Sequence, residues 1–194
     1  MRDYYDPQPC LRLSRPIVLA GQIGAGTRMI GRALCARTGL PFVEVDRQIE
    51  HEAGRSLTRI AVEESVARLS SLARSVFERL ALQRPWSVIV FDHAWPAPEA
   101  NAFLGKRVDF VYIERPTDYL FERLEKELHG DNRWLLEGQL EKVQSEADHE
   151  RLLLLREPLL RGARIMLDAG TQHELAIASI LLEALEPVAG AQPL

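Results

Sequence analysis

Apolar and polar positions follow two periods along this chain, and the switches between them lay out its elements. Ile17-Val18-Leu19-Ala20 is a continuous apolar run leading into Gly21-Gln22-Ile23-Gly24-Ala25-Gly26, after which Met29, Ile30, Ala33 and Leu34 recur at helical spacing. The expected order is strand, glycine-rich loop, helix, with Gly39-Leu40-Pro41 ending the helix. Phe42-Val43-Glu44-Val45-Asp46 alternates, which predicts a short strand with Glu44 and Asp46 on one face. Over positions 56–83, Ile60, Val62, Val66, Leu69, Leu72, Val76 and Leu80 predict one long helical region with a single buried side, closed by Pro85.

Three further apolar strands are expected at 87–91, 110–114 and 164–168. Thr117 is placed to cap a helix over 119–128, and 174–185 reads as a closing amphipathic helix. Strands alternating with helices predict an α/β fold, a three-layer sandwich around a five-stranded parallel sheet, with ligands at the carboxyl ends of the strands. The glycine-rich loop lies at such an end. The polar stretch 131–149 reads as a lid segment, residues 1–15 as an N-terminal extension, 16–186 as one domain and 187–194 as a tail.

Composition narrows the chemistry. The 194 residues are 46% hydrophobic, enough for one sizeable core, and the net charge of -4 gives no basic field of the kind nucleic-acid binders use. No apolar run is long enough to span a bilayer, so neither a membrane nor a nucleic acid is an expected partner. Cys10 and Cys35 fall in no CxxC spacing, which points away from a disulfide framework or zinc site and toward a reducing, cytoplasmic setting. Lysine occurs only at 106, 126 and 142, which matters wherever a reaction needs one.

Gly21, Gly24, Ala25, Gly26, Thr27 and Arg28 have the spacing of the phosphate-binding loop G-x-x-x-x-G-K-[ST], between a strand and a helix. Such a loop curls so that successive N–H groups face an anion, and the following helix adds its positive end. A plain glycine-rich turn kept for close packing is the alternative. The lysine slot holds Thr27, which carries no charge to the β- and γ-phosphates. The metal-ligand slot holds Arg28, which has no acceptor for Mg2+ and is free by chemistry to meet a phosphate oxygen instead.

Beyond the loop, four segments resemble the shikimate kinase family, a P-loop group of nucleoside-monophosphate-kinase type. They are Ile30-Gly31-Arg32-Ala33-Leu34 with Thr38-Gly39-Leu40-Pro41-Phe42; Val45-Asp46-Arg47-Gln48-Ile49-Glu50 with Ala53-Gly54-Arg55-Ser56-Leu57; Arg133-Trp134-Leu135-Leu136; and Arg156-Glu157-Pro158-Leu159-Leu160. The resemblance implies a P-loop kinase fold with a lid, ATP or ADP with Mg2+ as cofactors, and a hydroxylated acid as acceptor. It implies that Asp46 binds and activates the acceptor hydroxyl, that Arg156 grips its carboxylate and that Arg133 closes on the transferring phosphate. Glu44 stands where a family aspartate assists the magnesium shell.

Other family positions differ. The second carboxylate-binding arginine falls at Ser70, a nearby glutamate at Val66, and a glycine floor under the substrate at Asp92-His93-Ala94. Arg68 is two positions from Ser70, about 200° around a helix, and is expected to face elsewhere. Asp92 ends an apolar strand and reads either as a magnesium carboxylate or as a turn former. His93 reads as a base or ligand contact, or as packing under Trp95, and Trp134 as a stacking surface or an apolar latch.

These departures touch both substrates, so the leading expectation is a ligand-binding or regulatory pseudokinase with impaired transfer. An active ATP-dependent kinase on shikimate or a related hydroxylated acid is the alternative. A third reading is a sensor of a CoA-like or phosphorylated aromatic metabolite, held in a pocket lined by Phe91, His93 and Trp95.

Overall fold

The apolar run after Pro16 becomes the central strand β1 (Ile17–Gly21), buried along its whole length because both neighbouring positions in the sheet are filled. The computed structural model describes residues 13–83, 86–91, 107–128 and 163–188, with positions 147 and 150. In chain order the remaining described elements are α1 (Thr27–Thr38), β2 (Phe42–Glu44), α2 (Val45–Ala53), α3 (Leu57–Glu63), α4 (Val66–Gln83) and β3 (Val88–Val90). Then follow β4 (Asp109–Glu114), α5 (Thr117–Leu128), β5 (Ile165–Asp168) and α6 (Glu174–Val188).

The strands pair in parallel, as the alternation of elements predicts, and their order is β2-β3-β1-β4-β5. Val18 lies opposite Ile89 on one side and Phe110 on the other, so one register runs across the centre. Side chains alternate between two cores. Val18, Ala20, Ile89, Phe110 and Tyr112 join Val45, Ile49, Ile60, Phe77 and Leu80 from α2, α3 and α4. Ile17, Leu19, Val88, Val90, Val111 and Ile113 join Ile30 and Leu34 of α1 and Ile177, Leu181 and Leu185 of α6. Both faces of a parallel sheet must be covered in this way.

Three expectations change. The strand anticipated over 42–46 stops at Glu44, and Val45 and Asp46 belong to the first turn of α2. Val45 and Ile49 are both buried, so helical spacing takes over from alternation. The long helix over 56–83 is two helices: Ser56 caps α3 by accepting from the Arg59 amide at 3.3 Å, and the Ser65 hydroxyl accepts from the Arg68 amide at 3.1 Å to start α4. Val62 therefore points to solvent, 76% exposed, rather than joining the buried side. Thr117 is the first residue of α5 rather than its cap; the Pro116 carbonyl accepts from the Leu120 amide at 3.0 Å.

Gly31 is where α1 crosses the sheet most closely. A Cβ there would meet Phe42 Cε2 and Val90 Cγ2, each at 2.8 Å. Alanine favours a helix over glycine by about 1 kcal/mol, but overpacking a core costs about 1–3 kcal/mol. Gly31→Ala is expected to lower unfolding stability in urea, and Gly31→Val to lower it further; a gain from alanine would contradict this packing.

Candidate functional site

The loop from β1 to α1 reverses through two left-handed glycines, Gly24 at φ 86° and Gly26 at φ 80°. The Ala25 amide donates to the Gln22 carbonyl at 2.9 Å, and Gly26 serves as the N-cap of α1 without a side-chain hydrogen bond. The first amides of α1 are thus uncapped by any side chain at the positive end of a helix of 12 residues. This is the backbone arrangement that cradles phosphate. It lies after the central strand and beside Phe91, which follows β3, where the strand order reverses direction.

Thr27 is buried, and its hydroxyl donates to the Phe91 carbonyl at 3.3 Å. The residue in the lysine slot therefore ties the loop to the end of β3. Phe91 is 2% exposed and meets Phe77 edge to face at 5.0 Å, so its ring belongs to the core; His93 and Trp95, the other members of the pocket anticipated with it, lie outside the described residues.

Arg28 does not extend alone toward an anion. Its Nε lies 2.7 Å from Glu44 Oε1, while Glu44 Oε2 accepts from Arg32 Nη2 at 3.0 Å and lies 3.4 Å from Arg47 Nε. Arg28 and Arg32 are one turn apart on α1, and Arg47 stands in the first turn of α2, so one nearly buried carboxylate gathers three guanidiniums. Asp46 is also in that first turn and only 4% exposed.

A second cluster packs against the outer side of the loop, and the sequence pattern gave no notice of it. Arg115, just past β4, is buried; its Nε donates to the Ala25 carbonyl at 3.3 Å and its Nη1 to the carbonyls of Gly170 at 3.0 Å and Gln172 at 2.7 Å. The guanidiniums of Arg115 and Arg123 lie 4.6 Å and 5.6 Å from the Tyr119 ring centre, and Arg123 pairs with Glu174. A Cβ on Gly26 would meet Glu174 Oε1 at 2.8 Å, and one on Gly24 would meet Arg123 Cβ at 3.2 Å. The only available signals were positional: an arginine at a strand's carboxyl end and an acid opening a helix.

Ser70 is half-buried on α4, and Arg68 pairs with Glu64 at 3.1 Å on the exposed side, as its angular separation predicts. Cys35 is a free thiol that burial pushes up to about 12, so it is no nucleophile at neutral pH. Asp92, His93, Arg133 and Arg156, the lid over 131–149 and the aromatic side chains Trp95 and Trp134 lie outside the described residues.

A parallel sheet of this order, with a glycine loop after its central strand, defines a P-loop α/β protein of small-kinase type. The family model described as shikimate kinase matches residues 23–186, and the chain belongs to that family. Among curated relatives, a shikimate kinase of Salinibacter ruber is 30% identical over 171 residues, covering 85% of this chain and 82% of that protein. One of Caulobacter vibrioides is 29% identical over 170 residues, covering 87% and 81%. The solved shikimate kinase of Acinetobacter baumannii, in complex with shikimate, superposes with a TM-score of 0.76 at 23% identity, over 89% of this chain and 93% of that one.

Shikimate kinases use ATP with Mg2+. The curled loop fits the phosphates of ATP. The described residues do not fit the metal: its ligand slot is Arg28, the adjacent carboxylate Glu44 is engaged by three arginines, and no cluster of three His, Cys, Asp or Glu is placed to hold an ion among them.

Burial acts to raise the Glu174 carboxyl, but the hydrogen bond from Arg123, its own backbone amide and the charges of Arg123 and Arg115 hold it below its ordinary 4.5. A depressed folded value means the interaction is fully present above about 4.5 and is lost as pH falls through the folded value. In urea titrations from neutral to acid pH, the stability gap between the native chain and Glu174→Gln is expected to narrow below that point. A gap constant across the range would contradict the pairing.

Proposed function

We propose that the chain is an ATP-using small-molecule kinase that phosphorylates a hydroxyl of shikimate or a related hydroxylated acid, with transfer slowed by the substitutions in its loop. The observation that carries this reading is the buried carboxylate of Asp46, two residues beyond Glu44 at the start of α2, in a chain whose family match spans both segments. The relatives named above support the same reading, the Acinetobacter enzyme having been solved with shikimate.

In this mechanism the loop amides of Gly24, Gly26 and Thr27 bind the β- and γ-phosphates, the Ala25 amide being engaged by the Gln22 carbonyl. Asp46 accepts a hydrogen bond from the acceptor hydroxyl and takes its proton as the oxygen attacks the γ-phosphorus. The bond from that phosphorus to the bridging oxygen breaks, and ADP leaves with the electron pair. The family likeness gives Arg133 the closing contact on the phosphoryl group and Arg156 the acceptor carboxylate, with Asp92 and His93 under the acceptor ring. Thr27, hydrogen-bonded to Phe91 and uncharged, supplies none of the charge that a lysine carries along the reaction path. One such preorganised contact is worth about 3 kcal/mol.

That absence favours a second reading, nucleotide or anion binding with a regulatory role and no transfer. The deciding experiment incubates the full chain with ATP and a panel of hydroxylated acids including shikimate, with and without Mg2+, and follows the phosphorylated acid by mass spectrometry. Slow product is expected, reduced about 100-fold or more in kcat by Asp46→Asn and raised about tenfold or more by Thr27→Lys. ATP binding without product from any acceptor would favour the regulatory reading over the kinase.

A further inference from the structure

The arginine cluster at Glu44 bears on how the loop holds phosphate, and the point rests on the reading of that loop as a nucleotide-phosphate site. In a phosphate loop the second residue after the last glycine presents a hydroxyl to the metal. Here that residue is Arg28, and it is fixed in place by Glu44 at 2.7 Å. A guanidinium has N–H donors only and offers a cation no lone pair. The neighbouring carboxylate, Glu44, is shared with Arg32 and Arg47. Three guanidiniums lie within 3.4 Å of this one carboxylate at the start of α1, beside the helix's own positive end.

We infer that the Arg28 guanidinium, held by Glu44, takes the place of the divalent cation at this loop, so that polyphosphate binds without a metal and divalent cations oppose it. The ligand class is the uncomplexed polyphosphate tail of a nucleotide. The cluster neutralises phosphate charge in the way the ion otherwise does, and a second cation at the same point meets like charge at close range. Arg28 is 34% exposed in its side chain, so its charge is neither sealed in the core nor fully screened by water.

The test is calorimetric titration of the full chain with ATP and, separately, with inorganic tripolyphosphate, each in EDTA and in millimolar Mg2+. The native chain is expected to bind both probes in EDTA and more weakly in Mg2+. Arg28→Lys keeps the charge and is expected to behave alike. Arg28→Ser restores a hydroxyl and is expected to lose affinity in EDTA and to gain a preference for Mg2+ of about tenfold. Binding by the native chain that is as tight or tighter in Mg2+ would overturn the inference and leave the kinase reading standing. No heat from either probe in either buffer would overturn the phosphate-site reading, and the inference with it. Thermal melting of each variant reports folding, and if Arg28→Ser does not fold, the native chain and Arg28→Lys still decide.

Discussion

At Gly21 the chain leaves the central strand and folds back on itself so tightly that a Cβ would lie 2.6 Å from the Ala25 Cβ and 3.0 Å from the Ile113 carbonyl oxygen. This closeness is what allows the loop to reverse within five residues and start α1 over the carboxyl ends of β1 and β3. With α1 begun there, Thr27 reaches the Phe91 carbonyl and Arg28 reaches Glu44, while Arg115 draws the Ala25 carbonyl outward. Backbone amides are thereby left for an anion, and the carbonyl that would repel one is engaged elsewhere. The sheet fixes where the loop sits, and the loop fixes where every charged group near it is presented.

Charge around the loop is divided in two. On the side of α1 and α2, Arg28, Arg32 and Arg47 gather on Glu44; on the side of α5 and α6, Arg123 and Glu174 pair against Gly24 and Gly26. Individual ion pairs of this exposure contribute little to stability. Their effect is on position and potential. Glu44 ties the start of α2, and with it Asp46, to α1, so the glycine-rich loop and the Asp46 carboxylate are held by one network. A metal-binding loop uses an ion for part of this task; here side chains of the protein perform it.

The sheet was legible because buried parallel strands read as uninterrupted apolar runs, and 17–20, 88–90 and 110–113 are such runs. The loop was legible because Gly21, Gly24 and Gly26 fall between a strand and a helix, and the last two take left-handed conformations there. Asp46 was misplaced on a strand because five alternating residues satisfy both periods at their overlap, and only the burial of Ile49 three residues later decides for the helix. The break at Ser65 escaped notice for want of a glycine or proline, since a serine cap suffices there. Pairings such as Arg28 with Glu44 or Arg123 with Glu174 depend on chain segments 16 and 51 residues apart, and no local pattern encodes them.

Amide hydrogen exchange of the full chain, with and without ATP in the presence of EDTA, tests most directly whether this loop is a working phosphate site that needs no metal. Slowed exchange concentrated in the peptides covering residues 21–28, with little change along β4 and β5, is the result this account predicts. Loop amides that exchange at the same rate with ATP as without it, or that slow only when Mg2+ is supplied, would contradict it.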